Sequence, residues 1–264
     1  MGILNLSPDS FAGTSASSVA DAVDVALRME ADGADIIDIG GESTRPGAAP
    51  LSEADERHRV LPVIDRIVAR VRVPVSVDTY KAAIARDAIQ AGAALINDIS
   101  GLAYEPALGE MVARGGAGLV LMHTRGRPAS MYAQAHYDDV CRDVARELAA
   151  GVERAEAAGI ARDAIIVDPG IGFAKRAAHS YGVLAGVAAI GGALERPVLV
   201  GPSRKSFMAD ALDQRPASER DWGTAAAVTA AVLHGAHIIR VHAVREMVQV
   251  IRVAEEIRRH RDTQ

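Results

Sequence analysis

The run Val75-Ser76-Val77-Asp78-Thr79 is short, β-branched and apolar until it stops at a carboxylate, and Ile165-Ile166-Val167-Asp168-Pro169 repeats the pattern later in the chain. Working outward from these two, Ile3-Leu4 ends in Asn5, Ile36-Ile37 in Asp38, Leu95-Ile96 in Asn97, and the run from Leu119 to Met122 in His123. Val198-Leu199-Val200 ends in Gly201-Pro202-Ser203-Arg204-Lys205, and Ile238-Ile239 in Arg240-Val241-His242. Runs too apolar for one wet face suit parallel strands covered on both sides. Helical spacing occupies 19–31, 53–70, 81–90, 106–114, 137–158, 180–194, 223–233 and 245–259. Such βα alternation predicts right-handed crossovers and a parallel sheet, and eight strand-like runs favour an α/β fold closed as a single eight-fold (β/α) TIM barrel over 1–264. In that fold the C-terminal strand ends meet at one mouth, so the polar residues above converge on one active site. No Gly-x-Gly-x-x-Gly turn follows the first strand, which weakens a dinucleotide-binding reading.

The bulk composition agrees. With 264 residues and 49% hydrophobic content the chain can bury one large core, and a net charge of -5 provides no general attraction to nucleic acid or an anionic membrane. Any anionic ligand must then be held by a local basic cluster. Cys141 is the only cysteine, which excludes an intrachain disulfide, fits a reducing compartment and points to a packing role. The opening residues lack the features of a signal peptide and no run is long enough to cross a bilayer, so a soluble cytoplasmic protein is expected. Two connections, 7–18 and 40–52, are long, polar and rich in Gly, Pro and Ser, and are expected to be mobile loops at the mouth.

Asp78, Asn97 and Asp168 end three of the strands. A carboxylate accepts two parallel N–H bonds and an amide both donates and accepts, so the trio suits a flat heterocycle with an aminopyrimidine-like edge. Asp78-Thr79 and Asp168-Pro169 are also good helix-start chemistry, and either residue alone could simply cap the following helix. Ser203-Arg204-Lys205-Ser206 follows the seventh strand, where such barrels often bind phosphate, with Ser206 at a predicted helix start, and Arg240 and His242 follow the eighth. The pocket is thus expected to be negative on one side and positive on the other. His58, His123 and His136 lack zinc-site spacing. Asn5 offers one neutral oxygen, which suits magnesium shared with a phosphorylated substrate or, equally, a loop backbone.

With these residues placed, the chain resembles the dihydropteroate synthase family over nearly its whole length. The matching segments are Met1 to Phe11, Asp38 to Gly47 (Asp-Ile-Gly-Gly-Glu-Ser-Thr-Arg-Pro-Gly), Ser76 to Tyr80, Ile96 to Gly101, Asp168 to Phe173, Ser203 to Ser206 and Arg240 to His242. The resemblance implies a transferase of folate biosynthesis that condenses 6-hydroxymethyl-7,8-dihydropterin diphosphate with 4-aminobenzoate, giving dihydropteroate and pyrophosphate. It implies that Asp78, Asn97, Asp168 and Lys205 hold the pterin, with Met122 and Phe173 as apolar walls. Asn5, Arg240 and His242 would hold the diphosphate and its Mg2+. Phe11, Thr44, Arg45, Pro46, Ser203 and Ser206 would shape the aminobenzoate site. Asp78, Lys205, Arg240 and His242 would carry the chemistry. Sulfonamides as inhibitors and a homodimer through the late barrel helices come with the same resemblance.

The chain also departs from the family pattern. Ala12-Gly13-Thr14-Ser15 stands where Ser-Asp-Gly-Gly is usual, so an acidic loop contact to magnesium is absent or supplied by Asp9. Ala243 replaces an Asp that could orient His242, Ala174 replaces the usual Gly before Lys175, and His123-Thr124-Arg125-Gly126 replaces His-Met-x-Gly. The residues that usually precede the first strand are missing as well. These departures leave open a catalytically weak pterin-binding paralogue. A pterin-dependent methyltransferase domain would share the barrel and its carboxylates, but has no reason to carry both the Ser-Thr-Arg-Pro and Ser-Arg-Lys segments.

Overall fold

In the computed structural model, residues 1–6, 18–44 and 47–261 are described. Among them are eight short strands, β1 (Gly2–Asn5), β2 (Ile37–Gly40), β3 (Val75–Asp78), β4 (Leu95–Asp98), β5 (Gly118–Met122), β6 (Ile165–Asp168), β7 (Leu199–Val200) and β8 (Ile238–Ile239). The first six form one parallel sheet in chain order, and β7 pairs with β8. Single parallel bridges, Val167 to Val198 and Gly2 to Val241, join the two sheets at both seams and complete the ring. The β8–β1 seam is fastened by Val241 N–H donating to Met1 O at 3.0 Å and Ile3 N–H to Val241 O at 2.9 Å.

The helices are α1 (Val19–Ala31), α2 (Glu53–Val68), α3 (Ala82–Gln90), α4 (Ala107–Gly115), α5 (Val140–Ala157), α6 (Ala177–Ala185), α7 (Val187–Leu194), α8 (Asp221–Leu233) and α9 (Val244–Arg261). Local signals start several of them: Ser18, Ser52 and Asp139 each accept a backbone N–H of the first turn, contributing about 1 kcal/mol apiece. The continuous helix expected over 180–194 is instead two helices, α6 and α7, bent by 63°. The break falls at Gly186, where an added Cβ would stand 2.3 Å from Cys141 Sγ. Cys141 is half-buried there and its thiol donates to Gly182 O at 3.5 Å, so the predicted packing role holds. Among the described residues no single helix is long and apolar enough to cross a membrane.

Strand alternation layers the barrel interior. Towards the N-terminal ends, Met1, Val120 and Leu199 pack with Ile36, Leu95, Ile166 and Ile238 in an apolar floor. Two residues further along the same strands come Asp38, Asn97, Met122, Asp168 and Arg240. The strand register sets Asn97 opposite Asp78, and Asp168 opposite Met122. Outward-facing residues of the same strands, Ile37, Ile39, Val77, Ile96, Leu119 and Val167 among them, join the helices in the main core.

Candidate active site

The polar layer is tied together across the barrel. Arg240 Nε donates to Asp38 Oδ2 at 2.6 Å and Nη2 to Asp78 Oδ2 at 2.9 Å, while Asn97 Nδ2 donates to the same Asp38 oxygen at 3.0 Å. One guanidinium thus serves two carboxylates from neighbouring strands. Burial raises the Asp78 carboxyl to about 7, opposed by Arg240 and reinforced by the charge of Asp38. Asp38 Oδ1, wholly buried, has no hydrogen-bond partner among the described residues. Asp38 was legible as a strand end only; its place in the site was missed, because the contact that reveals it spans 202 residues.

On the other side, Asp168 is 5% exposed and its Oδ1 accepts the N–H of Gly170 at 2.7 Å. Burial raises its pKa, against the pull of Lys205 and of that backbone N–H. Lys205 Nζ donates to Ile171 O at 2.6 Å and lies 4.7 Å from the centre of the Phe173 ring. Withdrawal from water lowers the Lys205 ammonium to about 8 despite Asp168. Phe173 and Met122 belong to an apolar cluster with Tyr80, Ile99 and Tyr104, distinct from the main core. The two expected apolar walls thus fall in one cluster.

The segment after β7 corrects part of the reading. Arg204 does not face a phosphate site: its Nε and Nη2 form a forked pair with Asp221 at 2.7 and 2.8 Å, at the start of α8. Ser206 begins only a single 3-10 turn (Ser206–Met208) and is exposed; the next α-helix starts at Asp221. Ser203 is buried, and its Oγ lies 2.9 Å from His242 Nδ1 while accepting His242 N–H at 3.2 Å. That hydroxyl fixes the imidazole, the task left open by Ala243. Thr44 is half-buried beyond β2; Phe11, Arg45 and Pro46, with Asp9 and the 12–15 departure, lie outside the described residues.

These features have close counterparts. Residues 1–242 match the family described as pterin binding enzyme. The dihydropteroate synthase of Escherichia coli (strain K12) is 46% identical over 256 residues, covering 97% of this chain and 90% of its own. The chain belongs to the dihydropteroate synthases, within the pterin-binding enzyme family. Among solved structures, the Yersinia pestis dihydropteroate synthase in a sulfonamide drug complex superposes with a TM-score of 0.93 at 44% identity, covering 98% of this chain and 93% of that one. The Xanthomonas albilineans dihydropteroate synthase with 4-aminobenzoic acid gives 0.89 at 40% identity, with coverage of 97% and 92%. In dihydropteroate synthase terms, the mouth carries acidic and basic groups, though not on separate sides as expected, since Arg240 bonds Asp38 and Asp78 while Lys205 is drawn to Asp168; the expected barrel and transferase class stand.

A second set of residues lies behind the β6–α6 turn. Lys175 is 1% exposed; its Nζ is 2.8 Å from His123 Nδ1 and donates to Phe173 O at 3.1 Å. His123 Nε2 is 2.9 Å from Glu147 Oε2, and Arg125 pairs with Glu147 in turn. In the sequence Lys175 stands out only as the residue after a departure from pattern; an apolar-looking segment does not announce a buried ammonium.

Proposed function

We propose that this chain condenses 6-hydroxymethyl-7,8-dihydropterin diphosphate with 4-aminobenzoate, releasing pyrophosphate. One observation carries the reading: Asp168, Asn97 and the orphaned acceptor of Asp38 give the mouth a buried acceptor-rich face walled by Met122 and Phe173, with Arg240 bonded to Asp38 and Lys205 attracted by Asp168. A pterin edge is rich in N–H donors and would satisfy that face, and its flat ring would pack between the apolar walls. Lys205 would add a donor to the heterocycle. Arg240 uses Nε and Nη2 for carboxylates, but a guanidinium has five N–H donors and can add a phosphate oxygen. His242, held by Ser203, would meet the same diphosphate.

Among the described residues no trio of His, Cys, Asp or Glu could hold a metal by itself. Asn5 sits on β1 with its side-chain oxygen 3.7 Å from where a Cβ on Gly40 would stand, beside Asp78. A single amide oxygen fits magnesium carried in on a diphosphate, since that ion keeps waters and takes few protein ligands. When bound, it would neutralise charge on the departing diphosphate. Asp78 would offset positive charge growing on the pterin methylene, so that leaving-group loss runs ahead of amine attack without a protein nucleophile. Thr44, Ser206 and the three undescribed residues Phe11, Arg45 and Pro46 remain the proposed aminobenzoate wall, where sulfonamides would compete, together with Ser203, whose hydroxyl is already engaged by His242. A homodimer belongs to the same reading, supported by exposed Trp222 on α8 and Val253 and Ile257 on α9; a cytoplasmic setting is supported by the single, packed cysteine.

The test is pyrophosphate release with both substrates and magnesium. Release that requires 4-aminobenzoate, and falls competitively with a sulfonamide, is the expected result. Equal release without 4-aminobenzoate would make the protein a hydrolase, and no release from a folded protein that binds pterin would make it a binding paralogue.

A further inference from the structure

The turn from Asp168 to Lys175 carries two residues of the proposed pterin site, Asp168 and Phe173, yet it has little regular structure of its own. Its backbone polar groups are instead satisfied largely by side chains and by the neighbouring strand. Asp168 O accepts His123 N–H at 2.8 Å, Ile171 O accepts Lys205 Nζ at 2.6 Å, and Gly172 N–H donates to Ser180 Oγ at 3.2 Å. Phe173 O accepts Lys175 Nζ at 3.1 Å and Ala174 O accepts the Tyr137 hydroxyl at 3.0 Å. Gly170 has a φ of +69°, and a Cβ there would fall 1.9 Å from His123 O, so the turn is pressed against the end of β5. Ala174 is left-handed too, at φ +49°, a conformation that a non-glycine residue keeps only when its surroundings impose it. The two bonds flanking that strained residue come from Lys175 and Tyr137.

We propose that Lys175 is a positioning residue for pterin binding: from behind the turn its ammonium holds the Phe173 carbonyl and His123 Nδ1, and so fixes the ring of Phe173 and the carboxylate of Asp168 at the mouth. This rests on the pterin reading above. A lysine stem is long enough to carry its head to water, but here it is kept 1% exposed, which costs desolvation energy that a merely space-filling residue would avoid. The partner is built to receive it. Burial, and then the charge of Lys175, lower the His123 imidazole to about 4, so it stays neutral, donates from Nε2 to Glu147 and accepts at Nδ1. Glu147 is in turn pinned by Arg125, whose guanidinium lies 4.0 Å from the Tyr137 ring centre, returning to the residue that holds Ala174 O. The contacts form a closed circuit round the turn.

Lys175→Met keeps the stem and removes the Nζ. Calorimetry with 6-hydroxymethyl-7,8-dihydropterin should show affinity about tenfold weaker, the scale of a lost buried hydrogen bond to a charged group. In steady state KM for the pterin diphosphate should rise with kcat little changed, a split that general destabilisation would not produce. Amide exchange across residues 170–175 should quicken in the same variant. Tyr137→Phe, which removes one bond from the outer side, should act in the same direction by about threefold and guards against a Lys175→Met that does not fold. A folded Lys175→Met with pterin affinity within twofold of the parent and unchanged exchange overturns the proposal, as does an unaltered Tyr137→Phe if the first variant is unfolded. A parent protein that binds no pterin overturns the functional reading instead.

Discussion

The two halves of the barrel mouth solve the same problem differently. On the β2–β4 and β8 side, charge meets charge: Arg240 bridges Asp38 and Asp78, and Asn97 joins them. On the β6–β7 side, cations meet backbone: Lys205 holds Ile171 O and Lys175 holds Phe173 O, while Asp168 accepts from Gly170 N–H. The first arrangement determines the electrostatics of the pocket, because each member neutralises another. The second determines its shape, because each member fixes a carbonyl or amide of one turn. Removing a member should therefore fail in different ways, by stranded charge in one half and by a displaced wall in the other.

The largest effect should come from Arg240→Met. It leaves Asp38, wholly buried, and Asp78 without their shared cation, and one of them must take up a proton or drag water inside. Loss of one partner from such a network costs about 3 kcal/mol or more, which urea denaturation would measure, and turnover should collapse with it. Near-parental stability would mean that the two carboxylates are not held by charge. Asp168→Asn should come next. It exchanges a carboxylate for an amide with one acceptor oxygen, so pterin binding should weaken by about 1–3 kcal/mol with little change in stability. Calorimetric affinity equal to the parent's would remove Asp168 from the site.

The halves also differed in how far they could be read from sequence. Strand ends were legible, so Asp78, Asn97 and Asp168 were expected together at the mouth, where the register sets Asn97 opposite Asp78, whereas Met122, opposite Asp168, came only from the family resemblance. α1 was legible to the residue, because Ser18 caps it and its apolar spacing is unbroken. Partner choice was not. Arg204 and Lys205 are adjacent, yet one turns to Asp221 and the other to a backbone carbonyl, and nothing in their order distinguishes them. The bend at Gly186 was hidden because the helical spacing continues through it, and only the approach of Cys141 from α5 shows why glycine stands there. Lys175 was hidden for the opposite reason, since a lysine after a turn is ordinarily solvated.

The backbone-binding half should also alter stability over a pH window above that of the charge-pairing half, where Asp78 is raised from 3.8 to about 7. Burial lowers Lys175 from an ordinary value of 10.5 to about 7, opposed by Asp168 and reinforced by Lys205. The unfolded chain therefore binds more protons than the native one between about pH 7 and 10.5, and native stability attributable to this group rises with pH through that window and is lost as pH falls through about 7. Lys175→Met lacks the term. Stability of the parent relative to the variant should accordingly widen from pH 7 towards 10 in denaturant titrations, and parallel curves would mean that Lys175 is solvated in solution.

The smallest effect, and the one that best separates shape from charge, should be that of Ala174→Gly. Left-handed backbone costs an alanine about 1–2 kcal/mol that glycine does not incur, but glycine returns about 0.4–1 kcal/mol through the freedom of the unfolded chain. The buried methyl, wholly shielded here, is worth about 0.8 kcal/mol more. The terms nearly cancel, so a change of either sign no greater than about 0.8 kcal/mol, or about 2–3 °C in Tm for a chain of this size, is expected. The informative quantity is the coupling to Lys175. If the ammonium forces Ala174 into its conformation, a glycine there needs no forcing, and Lys175→Met should lose less pterin affinity in the Gly background than in the parent. A strictly additive double mutant would show that the turn keeps its shape without the lysine, and the contrast between the two halves of the mouth would then reduce to charge alone.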